Sequence, residues 1–247
     1  MRVLGVIPAR LGSTRLPNKP LQMLAGEPLI TRVIQRVQEH GLADELVVAT
    51  DSPMVAQVVE RSRIRAVLTE RGHLTGTDRV AEVAARPEFA GFDAVVNVQG
   101  DEPFLAREAL AGSIERVAQG DDIGTAAAPL DAELAGDPSR VKVVTDAEGR
   151  ALYFSRAAIP HRREASDPAR ALYWQHLGIY AYTRDALRRW ARLEPSPAEL
   201  AERLEQLRAL HHGLTIGVAR LTDPVEPGVD TPDDLRRAEA HWQALQR

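Results

Sequence analysis

Four apolar runs, Val3 to Ile7, Glu45 to Thr50, Ile64 to Thr69 and Ala94 to Val98, alternate with stretches of helical spacing. A run that is apolar on both faces suits a strand buried on both sides. Helical crossovers between such strands make them parallel. Leu29, Ile30, Val33, Ile34 and Val37 share one helical face, and Gly41 is a natural stop. Met54 to Arg61, Thr77 to Ala85 and Arg107 to Gln119 also carry helical spacing. The pattern predicts an α/β fold, with a mixed, mostly parallel sheet and helices on both faces. A chain of 247 residues, 44% hydrophobic, can build one such domain with an inserted lobe.

The second half changes character. Ile123 to Pro129, Val141 to Thr145, Ala151 to Ser155 and His176 to Tyr182 are strand-like, with little helix between them. Asp146 to Gly149 has the composition of a hairpin turn. This predicts an antiparallel lobe over roughly 123–182, inserted into a single domain spanning 1–247. Helices are expected over Arg184 to Leu193 and Pro197 to His211, then a strand near Leu214 to Arg220. A last helix starts at Pro232, with Thr231 as N-cap and Asp233 and Asp234 at its positive end. Arg162 to Arg170 reads as an exposed loop, and His211-His212 as a solvated helix end.

Composition excludes several function classes. A net charge of −4 leaves no broad basic field, so no nucleic-acid partner is expected. No apolar run approaches the ~20 residues of a membrane span, and the opening residues lack a signal-peptide core. Without cysteine there is no disulfide framework and no thiolate zinc site, which agrees with a cytoplasmic location.

Open α/β sheets bind ligands at the carboxyl ends of their strands. The first such end carries PARLGSTRLPNKP, from Pro8 to Pro20. It gathers Arg10, Arg15 and Lys19 with Ser13 and Thr14, enough charge and hydrogen-bonding capacity for a triphosphate. Read alone, it is also compatible with a basic surface loop. It fits neither the Walker A pattern nor the dinucleotide glycine fingerprint. Of the chain's 31 basic residues only Lys19 and Lys142 are lysines. Such an arginine bias lets a retained lysine mark a place that needs a compact ammonium. Lys142 sits in an apolar run, where a phosphate or an ion-pair partner is expected.

This loop resembles the CTP-binding signature of the CMP-Kdo synthetases, which couple CTP to 3-deoxy-D-manno-octulosonate (Kdo). The resemblance implies a Rossmann-like nucleotidyltransferase fold, with Arg10, Ser13, Arg15 and Lys19 as phosphate ligands. Lys19 would also stabilise charge developing on the α-phosphate and pyrophosphate.

Two aspartates close strand-end turns. Asp101 follows Asn97-Val-Gln99-Gly100, where Gly100 would let backbone approach a ligand, and Asp230 precedes the last helix. Each alone is an ordinary turn residue. Together they have the chemistry to share Mg²⁺, a hard cation that takes one or two carboxylates and fills its shell with phosphate and water. Both segments are similar to family motifs in which these aspartates hold magnesium; Glu102 and Asp233 beside them read as structural or supporting acids.

His73 to Arg79 is similar to the family's cytosine-recognition segment, with Thr75 and Asp78 as departures. It implies CTP contacts from His73, Gly76 and Arg79, to which the strand-end motif adds Asp101. Thr75 and Thr77 would equally serve as helix caps. Three further segments resemble family pieces that line the sugar site and point to Gln99, Arg156, His176, Tyr180, Glu205 and Gln206. Each of these also has a packing, capping or pairing role open to it. His161 to Glu164 departs from the family pattern.

The implied reaction makes CMP-Kdo and pyrophosphate for lipopolysaccharide assembly, with Lys19, Arg10, Asp101 and Asp230 as the catalytic set. A homodimer built through the lobe is implied too. Cytidylyltransferases for 8-amino-Kdo or sialic acid, and a non-catalytic nucleotide-sugar sensor, remain the alternatives.

Overall fold

The computed structural model describes residues 1–164 and 172–245. Residues 165–170 of the expected exposed loop lie outside that set. The chain divides into two compact units, Met1–Ala106 with Val225–Arg247, and Arg107–Pro224.

The first unit opens with β1 (Val3–Ala9), the short β2 (Met23–Leu24) and β3 (Glu27–Pro28), then α1 (Leu29–His40) and β4 (Glu45–Thr50). It continues with α2 (Pro53–Arg61), β5 (Arg65–Leu68), α3 (Gly76–Ala84) and β6 (Ala94–Asn97). β1 pairs in parallel with β4 and with β6, and β4 in parallel with β5. All four strand ends therefore leave the sheet on one edge, where an α/β sheet presents its ligand site. α1 buries Leu29, Ile30, Val33, Ile34 and Val37, and Gly41 ends it with φ 63°. Ser52 and Thr75 cap α2 and α3 through the N–H groups of Val55 and Asp78.

The second unit holds α4 (Arg107–Ala118), β7 (Ile123–Leu130), β8 (Lys142–Thr145), β9 (Ala151–Ser155) and β10 (Tyr173–Thr183). Then come α5 (Arg184–Trp190), α6 (Pro197–Glu202), α7 (Gln206–His211) and β11 (Ile216–Arg220). β7 pairs antiparallel with β10 and parallel with β11, while β8 and β9 form an antiparallel hairpin that joins β10 through β8. Small residues line β7 for a reason. A Cβ on Gly124 would sit 1.9 Å from the Ser113 carbonyl oxygen, so α4 can lie against this strand only with glycine there.

One expectation fails here. The helix read over Pro197 to His211 is broken in two, because Arg203 adopts the left-handed region at φ 56°. Continuous apolar spacing hides such a break. The chain then re-enters the first unit and ends in α8 (Pro232–Leu245).

Candidate active site

The loop after β1 is anchored by a single apolar side chain. Leu16 is buried with Leu24, Leu29, Val229 and Ala238, with Phe104, Leu235 and Trp242 packed against the cluster. Around it, Ser13 Oγ accepts from the Leu16 N–H at 3.3 Å. Asn18 takes a left-handed φ of 52° and turns the chain into a short 3₁₀ segment at Lys19–Leu21, where Pro20 is buried. Arg10 and Arg15 stay exposed. The loop is thus pinned at its base while its two arginines stay exposed.

The two remote acids meet. The Val229 N–H donates to the Asp101 carbonyl at 2.8 Å, and Val229 itself is fully buried. Gly228 makes this approach possible, since a Cβ there would lie 2.8 Å from Glu102 Oε1 and 3.2 Å from the Asp101 carbonyl oxygen. Asp230 is thereby delivered beside Asp101. Lys19 Nζ contacts Asp101 Oδ2 and, at 2.9 Å, Asp230 Oδ1. Arg15 reaches the other oxygen of Asp230 at 3.0 Å. Asp234 secures the turn by accepting from the N–H groups of Asp230 (3.1 Å) and Thr231 (2.8 Å). Thr231 caps α8 in return, its hydroxyl accepting from the Asp234 N–H at 3.2 Å. Asp233 pairs with Arg236 on the helix surface.

Charge explains the electrostatics of this corner. Burial works against the Lys19 ammonium, yet Asp101 and Asp230 outweigh it and hold its pKa above the ordinary lysine value. Glu102 moves the other way: burial, then the negative charges of Asp101 and Asp230, push it up to about 8. Buried beside two carboxylates, Glu102 favours its neutral form, as the burial of a carboxyl dictates. Two carboxylates already drawn to one ammonium fit a hard cation that takes its remaining ligands from phosphate and water. Among the described residues no group of three or more His, Cys, Asp or Glu could hold a metal, so a cation at this corner would have two carboxylates from the chain. Gly100 has a packing duty. A Cβ there would come within 3.0 Å of the Pro8 carbonyl oxygen, so it lets the end of β6 close against the end of β1.

The segment before α3 is oriented from behind. His73 Nε2 lies 2.6 Å from Glu82 Oε2. Burial raises Glu82, but hydrogen bonds from His73, the Glu70 N–H and Arg86 outweigh it and hold the carboxyl below its usual range. Gly76 packs its backbone 3.4 Å, measured from an added Cβ, from the Pro8 ring. The Arg79 side chain is only 3% exposed and donates to Thr69 Oγ1, the Glu70 carbonyl (3.2 Å) and Asp51 Oδ2 (3.1 Å). It ties the ends of β4 and β5 to α3. Glu82 and Asp51 escaped the sequence reading because their roles exist only through residues that the fold brings to them.

Of the six candidate sugar residues, Gln99 lies half-buried just beyond β6 in the first unit. The other five fall in the second. His176 Nε2 is 3.0 Å from Thr125 Oγ1, and its ring meets Phe154 edge-on at 4.9 Å and Tyr180 at 5.4 Å. Burial pulls His176 down to about 3, so its imidazole is neutral. Tyr180 is 8% exposed, and burial, with Tyr182 and Glu205 nearby, pushes its hydroxyl well above the usual value. Glu205 precedes α7, and Gln206 is buried in its first turn. Arg156 Nε donates to the Glu202 carbonyl at 2.7 Å.

A family model described as cytidylyltransferase matches residues 4–216. A 3-deoxy-manno-octulosonate cytidylyltransferase of Gemmatimonas aurantiaca is 57% identical, over 99% of this chain and 96% of that protein. One from Methylococcus capsulatus is 49% identical, over 96% and 95%. A solved CMP:2-keto-3-deoxy-manno-octonic acid synthetase complexed with CTP superposes with a TM-score of 0.91 at 38% identity, covering all of both chains. A 4-diphosphocytidyl-2C-methyl-D-erythritol synthase from Anaerococcus prevotii, at 14% identity and a TM-score of 0.62 over 98% of each chain, shares the fold alone. With its Rossmann-like nucleotidyltransferase fold and this match, the chain belongs to the cytidylyltransferase family.

Proposed function

We propose that this chain transfers CMP from CTP to Kdo, releasing pyrophosphate and supplying CMP-Kdo to lipopolysaccharide assembly. The observation that carries the reading is the meeting of Asp101 and Asp230 on Lys19, at the loop that carries Arg10, Ser13 and Arg15. The curated relatives at 57% and 49% identity support Kdo as acceptor.

In the proposed reaction the 2-hydroxyl oxygen of Kdo bonds to the α-phosphorus of CTP. The bond from that phosphorus to the β-phosphate oxygen breaks, pyrophosphate leaves, and the hydroxyl proton passes to solvent. Arg10, Arg15 and Lys19 bind the phosphates and offset the charge that grows on the leaving group. The Ser13 hydroxyl adds a neutral hydrogen bond. Asp101 and Asp230 would hold Mg²⁺, which when bound neutralises phosphate oxygens and favours ionisation of the attacking hydroxyl. His73, fixed by Glu82, and Gly76 border the base, with Arg79 stiffening their segment. Gln99, Arg156, His176, Tyr180, Glu205 and Gln206 supply the polar contacts that an acidic polyol needs. Catalysis then rests on positioning and electrostatics.

A homodimer through the lobe and a cytoplasmic location belong to the same reading. Leu152 and Tyr153 on β9 are 62% and 37% exposed, apolar surface that a second copy would cover. Among the described residues no helix is long and apolar enough to cross a membrane.

Pyrophosphate release measured with CTP, Mg²⁺ and a panel of acidic sugars tests the assignment. Turnover with Kdo is expected. Rapid turnover with 8-amino-Kdo or sialic acid, and none with Kdo, would replace the acceptor. Nucleotide binding without turnover on any acceptor would make the chain a sensor.

A further inference from the structure

Arg156, at the end of β9, is held from both sides of its own backbone. Its N–H donates to Glu202 Oε2 at 2.9 Å, and its carbonyl accepts from Lys142 Nζ at 2.5 Å. Its guanidinium is held as well. Nε donates to the Glu202 carbonyl at 2.7 Å, Nη1 to the Pro138 carbonyl at 2.9 Å, and Nη2 to the Arg203 carbonyl at 3.4 Å. The last acceptor stands at the break between α6 and α7, where Arg203 turns left-handed. A continuous helix would have used both carbonyls in its own ladder.

The two groups that grip the backbone are themselves fixed. Lys142 is fully buried, and its second hydrogen bond goes to the Asp137 carbonyl at 2.9 Å. Glu202 uses its other oxygen to accept from Ser155 Oγ at 2.6 Å. A buried ammonium bonded to neutral carbonyls is an expensive way to stabilise a fold. Lys142 is one of two lysines in a chain otherwise served by arginine, as suits a fully buried place that holds a compact ammonium between two carbonyls.

Arginine has five N–H donors, three of which these carbonyls use. One N–H on Nη1 and one on Nη2 are left over among the described residues, the number that a bidentate carboxylate takes. We propose that Lys142 and Glu202 are positioning residues, which preset Arg156 to receive the carboxylate of the acidic acceptor. The proposal rests on the acidic-sugar reading above and extends it to two residues that touch no substrate themselves. Their role is to confer acceptor affinity and leave nucleotide affinity alone.

Steady-state kinetics on K142M, E202Q and R156A, with Kdo and CTP varied separately, test this. K142M and E202Q should each raise KM for Kdo by roughly tenfold or more while KM for CTP stays within about twofold. R156A should raise KM for Kdo at least as much. Kdo KM values near wild type in K142M and E202Q, with R156A impaired, would overturn the positioning role. So would equal rises in both KM values, which signal general loss of structure. A normal R156A would overturn the proposal through its premise, locating the failure in the acceptor reading. Should K142M not fold, the isosteric E202Q decides between the same outcomes.

Discussion

The two lysines of this chain sit in opposite environments. Lys19 lies between two carboxylates with 18% of its side chain exposed, on a loop whose neighbouring arginines face solvent. Lys142 is sealed among backbone carbonyls, and burial draws its pKa below the ordinary value. The first is an exchangeable charge, matched to acids that can equally serve another cation. The second is a fixed fitting. The same contrast runs through the two sets of candidate residues. The candidate phosphate corner in the first unit is rich in opposed charges, whereas the candidate sugar residues of the second unit include a neutral histidine and a buried tyrosine. A polyanion that must bind and leave suits exchangeable charge, and a polyol suits preset neutral hydrogen bonds.

The sharpest way to break this contrast is at Asp101. D101N should lower pyrophosphate release by about 10³-fold while leaving the thermal midpoint nearly unchanged, because the proposed reaction sets its carboxylate to serve phosphates and not packing. A large fall in the midpoint would make the corner structural. K142M should behave conversely in a denaturant titration. It removes the Lys142 donor from the half-buried Arg156 carbonyl and leaves the Asp137 carbonyl with the Arg140 N–H alone, at a cost of about 1 kcal/mol. A K142M protein as stable as wild type would erase the distinction between the two lysines.

Acid titration probes the neutral region. The folded-state pKa of His176, about 3, lies below its ordinary value of 6.5. The unfolded chain therefore takes up this proton first, so the contribution is complete above pH 6.5 and is lost as pH falls from there towards 3. Replacement of His176 by Asn should flatten the stability curve in that window, and an unchanged acid slope would show that the imidazole charges freely. The smallest effect concerns Lys19. Without nucleotide, K19M should bind Mn²⁺ about tenfold more tightly than wild type by titration calorimetry, since the ammonium no longer competes for Asp101 and Asp230. Equal or weaker binding would mean that the two acids do not form the cation locus.

Much of the fold was legible because its signals are local. The apolar runs became β1, β4, β5 and β6, and Gly41, Thr75 and Thr231 stop or cap helices by short-range rules. The loop at Pro8 to Pro20 and the acids at 101 and 230 could be singled out because charge clusters at strand ends are visible in one dimension. The break at Arg203 was not legible, since its reward is a contact with Arg156. Nor were the β2–β3 hairpin, whose turn places Ala25 and Gly26 at positive φ, or the roles of Gly100 and Gly228, which depend on what packs against them. Lys142 could be flagged by its rarity. The carbonyls that hold it come from Asp137 and Arg156, and no spacing rule links the three.

The central claim is that Asp101 and Asp230 act as one site on the phosphates of CTP. A double-mutant cycle on pyrophosphate release tests it directly, with D101N, D230N and the pair. Each single change should cost about 10³-fold, and the double should cost scarcely more than either, because the shared site is already lost. Losses that multiply in the double variant, or a D230N protein with near-normal turnover, would contradict the account.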